Sequence, residues 1–333
     1  MAALSDQLLV VAIFAYLIAM VCHAAEYAFG NRGLVGRTAV RRAPARELVG
    51  AAIGGVDDAA APVAGAPVPV APAGPTGSDR TALLAGRAAV ALTGLGLLVH
   101  LGVLVTRGIA ADRMPLGNMY EFILSATFVG VIAWLVLLTH RPDLRHLGIF
   151  VVLAEVLLLG VAGLVVYSPI VPLVPALNSY WFVIHITSVV LSSGLFLLGA
   201  VPAIMFLIRN GYEQGRRGFP YQLGRRAPAA VALERLTFRV HTIAFPIWTF
   251  GALIAGPIWA EAAWGRYWGW DPKEIWAFVS WVVYAGYLHA RATPSVKRNV
   301  ATWLAVLGFV TMLMNLFGVN LFMSGLHSYA GVE

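Results

Sequence analysis

The chain contains about eight apolar stretches that are each long enough to cross a membrane. A helix needs roughly 20 apolar residues to span a bilayer core, and inside that core only helices or closed barrels satisfy their own backbone hydrogen bonds. Hydrophobic residues make up 59% of the chain and charged residues only 12%, about half the charge of a soluble domain. We therefore predict an all-α polytopic membrane protein. The expected spans lie at about 7–29, 83–106, 119–139, 147–167, 180–208, 237–259, 275–291 and 300–323.

The sequence divides into three regions. Residues 1–30 form the first transmembrane helix, which we expect to be retained, because no basic segment and no Ala-x-Ala-like cleavage site mark it as a removed signal. Residues 31–82 are rich first in arginine and then in alanine, proline and glycine, a composition typical of a flexible linker. Residues 83–333 hold the remaining spans and every motif discussed below.

Basic residues fall almost entirely in alternate loops, which predicts the orientation. Only Arg107, Arg113, Arg266 and Lys273 lie on the side that also carries both termini. The positive-inside rule then places both termini and the loop after the sixth span outside, and the linker in the cytoplasm. The opposite side carries Arg32, Arg37, Arg41, Arg42, Arg46, Arg80, Arg87, Arg141, Arg145, Arg209, Arg216, Arg217, Arg225, Arg226, Arg235, Arg239, Arg291, Lys297 and Arg298.

Half of the ten tryptophans lie in one short stretch, residues 258–276, between the sixth and seventh spans. They are Trp259, Trp264, Trp268, Trp270 and Trp276. Indole rings beside the charges of Arg266, Asp271, Lys273 and Glu274 favour a platform for a flat, mostly apolar ligand with anionic groups, and haem has this character. The alternative is an aromatic belt at the membrane interface, but a belt distributes its aromatic residues over many helix ends.

Two histidines lie at the depth of the Trp-rich stretch. His185 is near the outer end of the fifth span, and His327 follows the eighth. Neutral imidazole is a good axial ligand for haem iron, so the pair could hold a porphyrin against the tryptophans. A single histidine near a helix end more often satisfies a backbone carbonyl. The pairing of two at one depth makes ligation the preferred interpretation.

Other polar residues give weaker indications. His289 lies roughly 20 Å inward of the Trp-rich stretch, too far to share one haem with it. His241 lies at a similar inner depth, and Glu155 is a carboxylate inside the fourth span, where hydrogen bonds between packed helices are the ordinary explanation. The single cysteine, Cys22, allows neither an internal disulfide nor dithiol exchange. We find no phosphate-binding glycine loop, nucleophile elbow or zinc-ligand spacing.

The stretch W-G-R-Y-W-G-W-D-P-K-E-I-W closely resembles the tryptophan signature of the haem-handling membrane proteins of cytochrome c maturation. Within that superfamily the chain resembles the CcsA/ResC type of the System II pathway, called CcsB in some bacteria. Four shorter motifs support the resemblance, which covers roughly the third span to the C-terminus. They are P-x-x-N-x-Y-E at 115–121, W-x-x-x-H at 181–185, Y-L-H-x-R at 287–291 and G-L-H-S-Y at 325–329.

The resemblance implies export of haem b and its presentation, reduced, to an apocytochrome whose C-x-x-C-H thiols add to the haem vinyl groups. His185 and His327 match the family's external haem ligands, and His289 matches a histidine that binds haem within the membrane. Its second ligand is expected from a ResB-type partner, with His241 as the less supported alternative. Separate thioreductants would keep the substrate cysteines reduced, and haem attachment would require the partner complex in a bacterial plasma membrane.

From position, we expect Lys273 and Arg266 to pair with the haem propionates, and Asp271 to orient the loop by accepting indole or backbone N–H bonds. Three other functions remain open at this point: a System I protein that delivers haem without attaching it, a di-haem electron-transfer subunit, and a solute transporter with an aromatic belt. No nucleic-acid partner is expected, since the excess of positive charge is explained by orientation.

Overall fold

The computed structural model describes residues 1–29 and 77–327, and this part of the chain is a bundle of helices. The predicted linker falls outside the described residues up to residue 76, but residues 77–82 already belong to the second helix. The helices are α1 (Ala2–Phe29), α2 (Gly77–Ala111), α3 (Met119–His140), α4 (Gly148–Leu164), α5 (Tyr180–Glu213), α6 (Ala230–Phe250), α7 (Gly256–Trp264), α8 (Pro272–Ala292), α9 (Arg298–Leu313) and α10 (Val319–Phe322).

Among the described residues, seven helical units are long and apolar enough to cross a membrane. They are α1, α2, α3, α4 with the 3₁₀ turn Pro142–Leu147 before it, α5, the continuous α6–α7 rod and the continuous α9–α10 rod. The eighth predicted span is also a helix, α8, and its 21 residues are long enough to cross. This helix is not among the seven units that are both long and apolar enough, so its crossing, like the orientation of the bundle, stays a prediction.

Helix α5 lies at the centre of the bundle, with two-thirds (67%) of its most apolar window buried. One face of α5 packs with α3 and α4 around Trp134 and Phe206. Another face packs with α6, α8 and α9 around Phe196 and Tyr284, whose rings stack 3.9 Å apart. Helix α5 therefore joins the first four helices to the last ones and carries His185 near its N-terminal end.

Two π-helical turns interrupt the long rods at the end of the bundle that carries the Trp-rich stretch, called here the tryptophan end. Gly251–Ala255 joins α6 to α7, and Met314–Gly318 joins α9 to α10. A π turn shifts the hydrogen-bond register by one residue and leaves carbonyls for other partners, and such turns are frequent at functional sites. Hydropathy predicted continuous helices here, because the apolar pattern does not reveal a π turn.

The segment before α3 is held by a buried carboxylate. Asn118 caps the helix by accepting the Glu121 backbone N–H at 2.9 Å. Glu121, fully buried, pairs with Arg107 at 2.8 Å and with Arg113 at 2.7 Å, and it accepts the Gly117 N–H at 2.6 Å. Glu121, the last residue of the P-x-x-N-x-Y-E motif, is thus the centre of an ion cluster that fixes this segment at the tryptophan end.

Candidate functional site

The Trp-rich stretch is more helical than the sequence suggested. Only residues 265–271 are irregular, because α7 extends to Trp264 and α8 begins at Pro272. Gly265 ends α7 in the left-handed conformation at φ 71°, a helix end that glycine favours. Asp271 and Glu274 form a capping box at the start of α8, and the Glu274 carboxylate also accepts the Gly269 N–H at 2.8 Å.

The structure brings His185 and His327 to the same tryptophan. The His185 imidazole stacks on Trp259 with centroids 5.5 Å apart and planes 9° from parallel. The His327 imidazole meets Trp259 at 5.7 Å and Trp264 at 5.1 Å, edge to face in both cases. Two residues that are 142 positions apart in the sequence therefore converge on one indole.

His185 has a defined tautomer. Its Nδ1 lies 2.8 Å from the Gly251 carbonyl oxygen, in the π turn between α6 and α7. A carbonyl can only accept, so Nδ1 carries the hydrogen and Nε2 carries the lone pair. A histidine that donates through one nitrogen and ligates through the other is the usual arrangement at metal centres.

His327 has the same tautomer but a different acceptor. Its Nδ1 lies 2.7 Å from Asp271 Oδ2, and the same carboxylate accepts the Leu326 N–H at 2.6 Å and the Lys273 N–H at 3.2 Å. Burial alone would raise the Asp271 pKa, but the hydrogen bonds from His327 and Leu326 hold this pKa below its ordinary value. The sequence predicted the backbone donors to Asp271; the imidazole is the partner it missed.

An apolar cavity adjoins both imidazoles. His185, His327 and three of the five tryptophans line it: Trp259, Trp264 and Trp268. Within the described residues, Trp270 and Trp276 do not line it, and Trp270 is 63% exposed. The lining continues inward to Leu197, twelve residues after His185 on α5, a depth of about 18 Å. The cavity thus extends from the tryptophan end into the apolar part of the bundle.

The two cations predicted for anionic groups differ in position. Lys273 lines the cavity, and its Nζ donates to the Asn315 carbonyl at 2.9 Å in the second π turn. Burial lowers the Lys273 pKa to about 7, and nearby Asp271 opposes this shift. Arg266 lies exposed on the irregular segment, outside the cavity lining. Only Lys273 is therefore placed to meet an anionic group inside the cavity.

Residues 116–327 match the family described as cytochrome C assembly protein. The chain belongs to this family. Both ends of the match, Leu116 and His327, line the cavity. The matched region therefore begins and ends at residues that line the cavity, and it includes both imidazoles and the whole Trp-rich stretch.

Individual members give the same assignment. The cytochrome c biogenesis protein CcsA of Guillardia theta is 34% identical over 243 residues, covering 68% of this chain and 80% of that protein. The proteins of the same name from Gloeobacter violaceus and Crocosphaera subtropica are each 31% identical, covering 71% and 73% of this chain and 84% and 87% of their own length. The family does not favour the di-haem electron-transfer or solute-transporter interpretations.

Asn315, Asn320 and Trp248 also line the cavity and were missed in the sequence. The two asparagines add amides to the apolar wall, as does Asn118 of the P-x-x-N-x-Y-E motif, and Trp248 adds a buried indole. Within the described residues the Trp248 Nε1 and the Asn315 Oδ1 have no hydrogen-bond partner. Trp248 lies outside the dense tryptophan stretch, so only a three-dimensional arrangement reveals it. An unsatisfied buried N–H is a group that a ligand acceptor can satisfy.

The inner histidines lie on different sides of α8. His241 is fully buried and contacts Tyr284 and Tyr287, with ring centroids 5.3 and 5.0 Å away. His289 is exposed, and at 100° per residue it projects about 200° around α8 from Tyr287. The two imidazoles therefore do not face a common space, which argues against His241 as a second ligand beside His289.

Two clusters of buried polar groups lie away from the cavity. Glu155 Oε1 is 3.6 Å from His100 Nδ1, and Tyr16 OH is 3.5 Å from the same nitrogen, all inside the first four helices. Near the other end of the bundle, Glu26 pairs with Arg145 and lies near His23. No group of three His, Cys, Asp or Glu side chains placed to hold a metal ion occurs in residues 1–29 and 77–327.

Proposed function

We propose that this chain handles haem for cytochrome c maturation, binding it at the outer membrane face and presenting it to an apocytochrome c. The observation that carries the proposal is the pair of imidazoles at Trp259. Each is fixed through Nδ1 so that Nε2 bears the lone pair, and each borders an apolar cavity. Haem b enters here as the substrate, and the family assignment supplies the pathway.

The residues divide the work by chemistry. His185 and His327 would ligate the haem iron, and Trp259, Trp264 and Trp268 would pack against the porphyrin. Lys273 would pair with a propionate inside the cavity, and Arg266 would reach one at the surface. The only cysteine, Cys22, is in α1, so the reacting thiols come from the substrate. Each thiol adds its sulfur and its hydrogen across one vinyl double bond, and the chain contributes the alignment.

A second haem site is proposed at His289. His289 lies on the same face of α8 as the exposed residues Ile275, Phe278 and Val282. Between Val282 and His289 this face carries only the small residues Ala285 and Gly286. A haem held there would lie outside the bundle and would need its other ligand from a second protein, in agreement with a ResB-type membrane partner. Haem-lyase activity is accordingly proposed for the complex with that partner, in the plasma membrane of a bacterium.

The first experiment is an absorption spectrum with a pyridine haemochrome assay on the protein purified in mild detergent. We expect low-spin b-type haem that falls in His185→Gly and in His327→Gly and returns with added imidazole. The matched control is His140→Gly, an exposed histidine at the far end of α3. A wild-type protein with no haem, or equal haem in all variants, would remove the outer site.

The inner site is tested separately by co-expression with a ResB-type partner. Additional haem should appear only with the partner and should be lost in His289→Ala, while the outer-site haem persists. His241→Ala serves as the comparison, because this buried imidazole faces the opposite side of α8. Loss of the additional haem in His241→Ala with retention in His289→Ala would reverse the assignment.

A further inference from the structure

The two imidazoles at Trp259 differ in what holds their Nδ1 hydrogen. His185 donates to a neutral backbone carbonyl, that of Gly251, at 2.8 Å. His327 donates to a carboxylate, that of Asp271, at 2.7 Å. Hydrogen bonds to an ionised acceptor are roughly twice as strong as neutral ones, and they draw the proton away from the ring. The more polarised imidazole is the more basic ligand.

The Asp271 carboxylate is itself held firmly in place. It accepts the Leu326 N–H at 2.6 Å, next to His327, and the Lys273 N–H at 3.2 Å, at the start of α8. Its own backbone N–H donates to Glu274 at 3.0 Å, completing the capping box. The Asp271 side chain therefore links the segment that carries His327 to the start of α8, and it accepts a backbone N–H from each of them.

We propose that Asp271 is a positioning residue that makes His327 the stronger of the two axial ligands, so that His185 is the ligand replaced by the histidine of the incoming apocytochrome. This inference rests on the proposed function. The exchange moves no electrons: the iron–Nε2 bond to His185 breaks, a bond to the substrate imidazole forms, and His327 remains bound. An unequal pair allows one face of the haem to be vacated while the other stays attached to the protein.

The first test compares haem affinity, by titration of the detergent-purified protein, in His185→Gly and His327→Gly. Second-sphere carboxylates typically change metal affinity by about 10- to 100-fold. We therefore expect His327→Gly to lose at least about tenfold more haem affinity than His185→Gly. The His185→Gly protein should retain five-coordinate haem through His327, visible as a high-spin spectrum. Equal losses, or a larger loss in His185→Gly, would overturn the proposal.

The second test asks whether Asp271 causes the difference. Asp271→Asn keeps an oxygen that can accept from the backbone but removes the charge. In this background the two glycine variants should lose haem affinity equally, and the reduction potential of the haem should rise, since an anionic partner favours ferric iron. Asp143→Asn, which alters a surface pair with Arg141, is the control and should change neither.

Failures of the two hypotheses are distinguishable. If the wild-type protein binds no haem, the proposed function fails. If it binds haem through both histidines, but the asymmetry is absent or persists unchanged in Asp271→Asn, only the role of Asp271 fails. Thermal unfolding verifies that Asp271→Asn is folded. If this variant does not fold, the comparison of His185→Gly with His327→Gly in the wild-type background still tests the proposal.

Discussion

At the scale of single residues, the position of the His185 ring depends on a glycine. A Cβ on Gly256 would lie 3.1 Å from His185 Nδ1 and 3.2 Å from Cε1, closer than ordinary van der Waals contact. Gly256→Ala should therefore displace the imidazole from its position on Trp259 by a few tenths of an ångström. We expect haem affinity to fall by about tenfold, as for other changes that reorient a metal ligand.

The control for this change is Gly160→Ala on α4, where an added Cβ would meet no atom within 4 Å. Haem titration and thermal unfolding of both variants separate a local effect from a folding defect. Wild-type haem affinity in Gly256→Ala would show that the His185 ring is not held where the structure has it.

We expect Lys273 to make the binding of anionic ligands depend on pH. Burial lowers its pKa to about 7, so the amine is charged below that pH and neutral above it. A carboxylate ligand prefers the charged amine, and binding above pH 7 therefore requires uptake of a proton. The affinity for iron-free protoporphyrin, measured by quenching of tryptophan fluorescence, should fall by up to about tenfold per pH unit above 7.

In Lys273→Met this pH dependence should be lost, with a lower affinity at pH 6. Lys297→Met, at the start of α9 and remote from the cavity, should keep the wild-type profile. Iron-free porphyrin is chosen because it needs no axial ligand. A pH profile that is the same in wild type and Lys273→Met would exclude Lys273 as the group that meets the propionate.

The residue types at the site could be predicted from the sequence, but their partners could not. The sequence indicates a haem site through the residue types of His185, His327 and the tryptophans and through their similar predicted depth in the membrane. The acceptor for His185 is a backbone carbonyl in a π turn, and the acceptor for His327 is Asp271, 56 residues earlier. A backbone acceptor cannot be predicted from the types of the side chains. A pair of residues that are distant in the sequence can be recognised only once the fold is known.

At the scale of helices and their connections, the segment before α3 depends on one carboxylate. Glu121 is buried between Arg107 and Arg113, so its removal leaves two positive charges without their partner. Breaking a buried pair in this way costs about 3–5 kcal/mol. Glu121→Ala should lower the thermal unfolding temperature in detergent and weaken haem binding, since Gly117 and Asn118 line the cavity.

Glu213→Ala is the matched control, because Glu213 pairs with Arg209 at the exposed end of α5. An exposed pair of this kind contributes less than about 1 kcal/mol, so the unfolding temperature should hardly change. Similar unfolding temperatures for the two variants would mean that the Glu121 cluster is not a structural requirement.

The positions of the helices were predicted well from the lengths of the apolar stretches, but their exact ends were not. Apolar runs predicted all eight long helices, because a membrane core demands about 20 such residues. Helix α6 nevertheless begins at Ala230, seven residues before the predicted span, since Glu234 and Arg235 lower the hydropathy of its first turns without ending the helix. The Trp-rich stretch was predicted to be a loop because Gly265, Gly269 and Pro272 interrupt a regular helix, yet only residues 265–271 are irregular and the rest is helical.

At the scale of the whole molecule, the cavity lies where the two halves of the bundle meet. Its walls come from α3 and α4 on one side and from α6 to α9 on the other, with α5 between them. At the tryptophan end the halves are linked by Asn320, which donates to Met119 Sδ at 3.3 Å. A ligand bound there would contact both halves, so its binding can be coupled to how they pack.

The orientation of this bundle, and the crossing of α8, can be tested by labelling single cysteines in whole cells with a membrane-impermeant maleimide. The background is Cys22→Ser. Three exposed positions report on three loops: Phe219, Tyr267 and Ser295. With both termini outside and eight crossings, Tyr267→Cys is labelled in intact cells, whereas Phe219→Cys and Ser295→Cys react only after the membrane is permeabilised.

Each alternative topology gives a different pattern in this labelling experiment. An inverted bundle would label Phe219→Cys and Ser295→Cys but not Tyr267→Cys in intact cells. A helix α8 that lies along the membrane surface would place Ser295 on the same side as Tyr267, and both would be labelled. The second outcome would also move His289 out of the membrane, because α8 carries it 17 residues after Pro272. Labelling of both Ser295→Cys and Tyr267→Cys in intact cells would therefore contradict the inner haem site proposed at His289.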